Sequence, residues 1–329
     1  MRKAAGSLFG LAYGDALGKP TEFEDYATIV ARYGPGGPRE LTGDPALVTD
    51  DTQMALAVGE AILAAGEIGP RALEPALRRA FLAWAASPDN NRAPGMTCLL
   101  ACEALADGRP WQQATETGSK GCGANMRVTP VGLVPELGDE ERAGLAQLQA
   151  ALTHGHPTGL AASELTAYAV WWLRGGLPPA DLLATLRDRC DEQRTVYREE
   201  WLGDLWRQAG ARSPEQFIAR GWAETAAALD HVAGALAGAD RPGDPCLATG
   251  EGWIAEEALA TALYCYLLSP EDPVAVIARG AASSGDSDSI ACLAGAFAGA
   301  ALGMAAWPPA WAGRIEYAGR LSRLARAWD

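Results

Sequence analysis

Two short acidic clusters contain the residues that could do chemistry. One reads TDDT at residues 49–52, and the other reads DSDS at residues 286–289. Each places two carboxylates and neighbouring hydroxyls at a predicted helix start, where backbone N–H groups and the helix dipole favour negative charge. Either cluster alone is typical of a helix cap followed by first-turn acids. Two such clusters, each leading into an alanine-rich apolar segment, favour a shared site.

The oxygen atoms of these clusters indicate a hard metal ion. Burying an unpaired carboxylate is costly, so buried pairs usually have a cation or many hydrogen-bond donors. Four carboxylates with hydroxyls suit Mg²⁺ or Mn²⁺, suit Ca²⁺ less well, and do not suit Zn²⁺. Neither cluster matches the EF-hand pattern, because the sequence has no third acid and no glutamate at the twelfth position of such a loop. Two ions about 3.5–4 Å apart would position a water and polarise a substrate oxygen.

Three further motifs could contact a ligand. GDALGK at residues 14–19 lacks the spacing of a phosphate loop, and GCGANM at 121–126 lacks the third glycine of a dinucleotide fingerprint. The second loop, followed by Arg127, can still admit a phosphate or ribose near backbone N–H groups, although an ordinary tight turn explains it equally well. LTHGHPTG at 152–159 holds two of the three histidines, which suit a ligand contact or a structural hydrogen bond better than a metal.

Composition restricts the compartment and the partners. The chain has 329 residues, 49% of them hydrophobic, and a net charge of −14. This charge disfavours non-specific binding to nucleic acid or to an anionic membrane. An anionic small substrate stays possible because a divalent cation would reverse the local field. Seven cysteines without a CxxC pair predict reduced core residues in a cytoplasmic protein.

Two apolar segments resemble targeting or membrane sequences. Residues 1–18 begin like a signal peptide, but Asp15 interrupts a short, glycine-broken run. Residues 290–313 carry no charge, are long enough to span a bilayer, and place glycines at four-residue spacing. Alanine and glycine dominate this second run, and Pro308 and Pro309 break it. We therefore predict a buried central helix and no membrane partner.

Helical patterning dominates the chain. Apolar residues recur at spacings of three and four, whereas β-alternation, a βαβ rhythm and a clear interdomain linker are not evident. This predicts an all-α, compact, single-domain orthogonal multi-helix bundle over residues 1–329. The predicted helices cover residues 52–65, 71–86, 97–106, 158–174, 179–190, 214–229, 254–268, 272–281, 289–306 and 311–328.

Taken together, six segments resemble the ADP-ribosylglycohydrolases, the group related to dinitrogenase reductase-activating glycohydrolase. They occur in the family's order between the amino terminus and residue 303. The segments are GLAYGDALGKPTEF, TDDTQMAL, GCGANMRVTPVGL, LTHGHP, GWIAEEALATAL and SSGDSDSIACLAGAFAGAALG. The resemblance implies an all-α domain with a two-metal site, usually Mg²⁺ or Mn²⁺. It also implies cleavage of the glycosidic bond between ADP-ribose and an acceptor, such as an ADP-ribosylated protein.

The resemblance also implies roles for individual residues. The metal ligands would be Thr49, Asp50, Asp51, Asp286, Asp288 and Ser289. The family usually has threonine where Ser289 stands, so the hydroxyl is kept and the methyl that restricts its rotamer is lost. Glu22 matches a mobile acid and, with Asp50, would assist proton transfer. The ADP-ribose would lie against Gly121, Gly123, Met126 and His154.

The acceptor and two alternative functions stay open. Arginine-specific members carry an acid in the loop that here reads DNNRAPGMTC at residues 89–98. Asp89 is near the corresponding place, which Ala93 and Pro94 could equally occupy. A two-metal phosphoesterase acting on a nucleotide would release phosphate and no ADP-ribose. A non-catalytic ADP-ribose-binding protein would bind tightly without turnover.

Overall fold

The protein is an all-α structure, as the sequence predicts. A computed structural model describes residues 2–238 and 243–329, so Met1 and residues 239–242 of the predicted 1–329 domain lie outside the described residues. The described residues form eighteen α-helices and three isolated β-bridges, with no β-strand. The helices are Lys3–Gly18 (α1), Tyr26–Tyr33 (α2), Asp50–Ala65 (α3), Pro70–Ala85 (α4), Met96–Ala106 (α5), Trp111–Ala114 (α6), Thr129–Leu133 (α7), Asp139–Ala151 (α8), Pro157–Gly175 (α9), Pro179–Gln193 (α10), Glu199–Leu202 (α11), Leu205–Gln208 (α12), Pro214–Ala237 (α13), Cys246–Thr249 (α14), Ala255–Leu268 (α15), Pro273–Ala281 (α16), Ser287–Leu302 (α17) and Ala318–Trp328 (α18).

The helix predictions are confirmed within about three residues, except that the segment predicted as 214–229 continues to Ala237 and that two segments differ at the carboxyl-terminal end. The segment predicted as 289–306 ends at Leu302, because Gly303 has a φ of 79° that a right-handed helix cannot accommodate. The segment predicted as 311–328 becomes helical only at Ala318, after Tyr317 with a φ of 56°. Three longer helices, α1, α2 and α8, were not predicted from apolar spacing. In α1 nearly every residue is buried, so no polar face marks its period.

Helices α1 and α17 pack with their backbones in contact at the centre of the molecule. A Cβ atom on Gly10 would lie 2.3 Å from the Gly295 carbonyl oxygen, and one on Gly14 would lie 2.0 Å from that of Ala291. Close packing of this kind requires small residues on both helices. The uncharged run is therefore a buried helix, as predicted, from residue 290 to Leu302, whereas its remainder up to residue 313 is not α-helical. Within the described residues, no helix is long and apolar enough to cross a membrane.

This helix pair brings the two acidic clusters to one end of the bundle. A Cβ atom on Gly18, the last residue of α1, would lie 2.4 Å from the Asp288 Cα atom, so the end of α1 abuts the start of α17. One turn earlier on α1, the Asp15 side chain bonds the start of α3 at Thr49 and Thr52. The carboxylates at the starts of α3 and α17 therefore face the same space.

Candidate active site

The two acidic clusters meet in a pocket with a cavity volume of about 290 Å³. Its lining includes every predicted site residue except Thr49. The predicted residues that line it are Glu22, Asp50, Asp51, Gly121, Gly123, Met126, His154, Asp286, Asp288 and Ser289. Residues far apart in the sequence are thus brought together, as the shared-site interpretation requires.

A fully buried carboxylate on α1 positions the cluster at the start of α3. Asp15 accepts hydrogen bonds from the backbone N–H groups of Thr49 at 2.8 Å and Thr52 at 3.0 Å, and from the Thr49 hydroxyl at 2.9 Å. These bonds satisfy orphan donors of the first helical turn and fix where Asp50 and Asp51 point. The Thr49 hydroxyl donates to Asp15 at 2.9 Å and lies 3.2 Å from the carboxylate of Asp51, an acid that lines the pocket. Sequence reasoning did not include Asp15 in the site, although a lone acid inside an apolar helix was a visible signal.

The cluster at the start of α17 is held by backbone contacts. The Asp286 N–H donates to the Glu251 carbonyl oxygen at 2.8 Å. A Cβ atom on Gly285 would lie 1.8 Å from that same oxygen, so only glycine fits there. Ser287 points away from the pocket, toward the Gly18 carbonyl oxygen at 3.1 Å. Asp286 and Asp288, one residue to either side, face the pocket.

Glu22 joins the two clusters from a turn that follows α1. Its neighbour Thr21 is buried and anchors the turn by donating to the Ala281 carbonyl oxygen at 2.7 Å. The half-buried Glu22 carboxyl shares a hydrogen bond with the carboxyl of Asp288. This places Glu22 at the pocket mouth, in contact with the deeper acids.

The opposite wall combines the glycine-rich loop with a buried histidine. A Cβ atom on Gly123 would lie 3.0 Å from the His154 ring and 2.9 Å from the Cys98 sulfur, so the loop and ring fit closely. Burial, followed by the charge of Arg127, lowers the pKa of His154 well below its usual value. The ring is therefore neutral and acts only through hydrogen bonds and contact. The Arg127 guanidinium does not line the pocket: it is fully buried and bonds Gln149 at 2.9 Å.

Burial and mutual repulsion keep the acids of the pocket partly protonated. Burial is the largest cause in each case, and neighbouring carboxylates, Asp288 above all, add to it. The pKa is raised to about 7 for Asp15 and Asp50 and to about 9 for Glu22. The pKa of Asp51 is raised well above its usual value. Five carboxylates in one pocket cannot all ionise without a compensating charge.

The donor set fits a hard divalent cation. No lysine or arginine is present among the described residues that line the pocket. The Asp51 Oδ1 atom is buried and has no hydrogen-bond partner, so it is available to a cation. Over residues 2–238 and 243–329, however, no three or more His, Cys, Asp or Glu side chains form a ready metal-binding group. The residues therefore fit the predicted ions, while the two-metal site itself stays a prediction.

We expect the metal-free protein to lose stability as the pH rises. The folded-state pKa values of Asp15, Asp50 and Glu22 lie above the ordinary values of 3.8 and 4.5. The folded state thus binds more protons than the unfolded state, so the free energy of unfolding falls between about pH 4 and about pH 9. Urea unfolding in EDTA at several pH values measures this slope. Added Mg²⁺ should restore stability at alkaline pH. A free energy of unfolding that does not change with pH in EDTA would contradict the repulsion between the carboxylates.

Exposed apolar side chains surround the mouth of this acidic pocket. Phe23 and Trp253 stack with ring centroids 6.0 Å apart and an interplanar angle of 15°, although they are 74% and 40% exposed. Met96 lines the same mouth and is also exposed. No sequence motif indicated this rim. Asp89 lies elsewhere: its carboxylate accepts from the Tyr317 hydroxyl at 2.7 Å and does not line the pocket.

The all-α fold presents carboxylates from two helix starts to one pocket, an arrangement suited to acid–base chemistry. The chain belongs to the ADP-ribosylglycohydrolase family, whose sequence model matches residues 1–329. This confirms the resemblance seen in the six sequence segments.

Individual relatives support the same assignment. The chain is 27% identical to the protein YegU of Escherichia coli, with 96% of this chain and 92% of that protein covered. It is 27% identical to human ADP-ribosylhydrolase ARH3, covering 93% and 87%. It is 31% identical to the ADP-ribosyl-[dinitrogen reductase] glycohydrolase of Rhodospirillum rubrum, covering 53% of this chain and 58% of that one. A solved ADP-ribosylglycohydrolase-related protein complex shares the fold, with a TM-score of 0.70, 24% identity and coverage of 99% and 96%.

Proposed function

We propose that the protein is a metal-dependent hydrolase that cleaves the glycosidic bond between ADP-ribose and an acceptor, with an ADP-ribosylated protein as substrate. The observation that carries the proposal is the convergence of two distant acidic clusters in one pocket that has no basic side chain in its described lining. The relatives named as ADP-ribosylhydrolases support the choice of substrate. We further propose that residues 1–329 act as one catalytic domain in the cytoplasm, where the seven buried, unbonded cysteines stay reduced.

Two Mg²⁺ or Mn²⁺ ions would be held by the acids of both helix starts. The proposed ligands are Thr49, Asp50, Asp51, Asp286, Asp288 and Ser289. Bound cations would neutralise these carboxylates and stabilise negative charge that develops on substrate oxygens. The free Oδ1 atom of Asp51 supports this role most directly. The Thr49 hydroxyl would keep its hydrogen bond to Asp15 and offer an oxygen lone pair to a cation.

Glu22 and Asp50 would divide the proton transfers. Asp50 is buried, and its Oδ2 atom accepts from the Gly95 N–H at 3.2 Å, which leaves the other oxygen to orient and deprotonate an attacking water. Glu22 lies at the mouth, where the acceptor enters, and would give its proton to the departing oxygen. The bond would break through an oxocarbenium-like state, as in other glycoside hydrolyses.

The glycine-rich wall would hold the ADP-ribose. Gly121 and Gly123 have no side chains to keep a ribose or diphosphate away from the backbone. Met126 and the neutral ring of His154 would complete this wall. Because His154 carries no charge, it would orient the sugar without competing for a proton.

We propose an acceptor other than arginine. The pocket-lining part of the 89–98 loop supplies Ala93, Gly95, Met96, Thr97 and Cys98, and none of these is acidic. Asp89, the acid nearest to the place where arginine-specific members carry one, faces Tyr317 instead. A guanidinium at the mouth would therefore lack a carboxylate from this loop, and the apolar rim suits a less polar acceptor.

Product identification tests the proposed function. Serine-linked and arginine-linked ADP-ribosylated proteins would be incubated with the enzyme and Mg²⁺, and the products identified by mass spectrometry. We expect free ADP-ribose, released faster from the serine-linked protein. Phosphate or AMP without ADP-ribose would indicate the phosphoesterase instead. ADP-ribose binding without release from either substrate would indicate a binding protein.

A further inference from the structure

An ion pair attaches the 89–98 loop to the segment that precedes α18. Arg92, in this loop, donates through one terminal nitrogen to Glu316 Oε2 at 2.5 Å and through the other to Oε1 at 3.0 Å. The two side chains are only 15% and 13% exposed, so solvent screens the pair only partly. Two parallel bonds between a guanidinium and a carboxylate fix the relative orientation of both groups. The loop is therefore held at Arg92 by a directional contact.

The same ion pair binds the backbone of a residue just before the acidic cluster of α3. The Val48 carbonyl oxygen accepts from Arg92 at 2.6 Å, and the Val48 N–H donates to Glu316 Oε2 at 3.1 Å. Val48 is fully buried, so its backbone polar groups need partners, and this one ion pair supplies them. Asp50 follows two residues later. The path of the chain into α3 therefore depends on Arg92 and Glu316.

The far side of the loop contacts Asp50 directly. The Gly95 N–H donates to Asp50 Oδ2 at 3.2 Å. Between Arg92 and Gly95 the chain passes through Ala93, whose φ of 50° lies in the left-handed region that alanine adopts rarely. Such a conformation persists only where the surrounding structure holds it. Arg92 is held on one side of Ala93, and the contact of Gly95 with Asp50 holds the other.

The ion pair can act on catalysis only through the residues that it holds. Neither Arg92 nor Glu316 is among the described residues that line the acidic pocket. Asp50 is reached by two routes, one through the Val48 backbone and one through the loop to Gly95. The hydrogen bonds of the pair within the described part of the chain go to Val48 and between the two side chains, and none goes to the glycine-rich wall.

We infer that Arg92 and Glu316 are positioning residues, whose ion pair holds the Asp50 carboxylate in the orientation that activates water. The inference rests on the proposed function, in which Asp50 deprotonates the attacking water. A displaced Asp50 slows the chemical step, because proton transfer requires close alignment of the base. Binding of ADP-ribose stays unchanged, because the proposed ADP-ribose wall makes no bond to the ion pair. The expected signature is a lower kcat at an unchanged affinity for ADP-ribose.

Two substitutions of Arg92 test this role in the full chain. Arg92→Met keeps the length of the side chain and removes every donor, and we expect kcat for ADP-ribose release to fall between about tenfold and about hundredfold. Arg92→Lys keeps the charge but cannot bond both carboxylate oxygens and Val48 in the same geometry, so its kcat should lie between those of wild type and Arg92→Met. Rates are measured with saturating Mg²⁺, and calorimetry gives the Kd of ADP-ribose, which should be the same in all three proteins. If Arg92→Met does not fold, Arg92→Lys carries the test.

Arg320→Met is the matched control. Arg320 on α18 pairs with Glu60 on α3 through two bonds of 2.8 and 2.7 Å, but it bonds neither Val48 nor Gly95. Its loss should lower the free energy of unfolding by an amount similar to that of Arg92→Met, while kcat stays at the wild-type value. A fall in kcat in Arg92→Met no larger than in Arg320→Met would overturn the inference. A raised Kd for ADP-ribose at unchanged kcat would also overturn it.

Amide hydrogen exchange tests the same contacts without turnover. In EDTA, the N–H groups of Val48 and Gly95 should exchange faster in Arg92→Met than in wild type or Arg320→Met, because their acceptors are no longer held in place. If wild type releases no ADP-ribose, the glycohydrolase proposal fails, and exchange alone then decides whether the ion pair holds Asp50 against Gly95. Unchanged exchange of both groups in Arg92→Met would overturn the inference whatever the rates of release.

Discussion

Replacing Asp288 with asparagine is expected to reduce ADP-ribose release by about 10³-fold, or about 4 kcal/mol of transition-state stabilisation. Asp288 is buried, shares hydrogen bonds with the carboxyls of Glu22 and Asp286, and raises the pKa of each of the other acids of the cluster. The amide keeps the shape and removes the charge that a cation would need. The measurement is the initial rate of release with saturating Mg²⁺.

The same substitution should make the metal-free protein more stable. Removing one of several repelling carboxylates relieves strain that the folded state carries without cations. Lower activity together with higher stability would show that Asp288→Asn disrupts the site and does not misfold the protein. Asp188→Asn, at an exposed acid on α10, is the control and should change neither quantity. Wild-type activity in Asp288→Asn would refute the metal role.

Replacing Gly295 with alanine is expected to destabilise the protein by about 3 kcal/mol or more. The new Cβ atom would lie 2.1 Å from the Gly10 carbonyl oxygen, so α1 and α17 would have to separate. Because this contact also sets the distance between the two acidic clusters, activity should fall in the fraction that still folds. Urea unfolding gives the free energy, and circular dichroism confirms the helical content.

The matched control for this substitution is Gly319→Ala in α18. A Cβ atom there meets nothing within 4 Å, so alanine should be neutral or stabilise the helix by up to about 1 kcal/mol. Equal stability of the two variants would show that the contact between α1 and α17 tolerates a methyl group. It would also remove our explanation for the glycine and alanine content of α17.

Much of the fold follows from local sequence patterns. Helix α4 has an amphipathic spacing, and its predicted bounds of 71–86 differ by one residue from those observed. Helix α13 starts at the predicted residue, after Ser213, but continues to Ala237, well beyond the predicted end at residue 229. Helix α1 could not be predicted, because it is buried on all sides and its pattern has no polar face. The late start of α18 follows from the left-handed conformation of Tyr317, for which apolar spacing gives no signal.

The part of the candidate site formed by the acidic clusters could be predicted, because the residue types alone indicate its chemistry. The clusters around Asp51 and Asp288 each place acids next to an apolar segment. Buried acids need a cation or hydrogen-bond donors, so we expected the two clusters to share one site. Asp15 was not assigned a role, because its task is to hold the start of α3 and that requires the tertiary contact. The stacked pair of Phe23 and Trp253 was also missed, since two single aromatics in separate loops have no common motif.

Metal dependence of the reaction tests the central claim most directly. The enzyme would be treated with EDTA, dialysed, and assayed for ADP-ribose release with no metal, with Mg²⁺ and with Mn²⁺, while calorimetry counts the bound ions. We predict no release from the treated enzyme, recovery with either ion, and about two ions per chain. Full release after EDTA with no bound ion would contradict the account, because the acids of the pocket would then act without a cation.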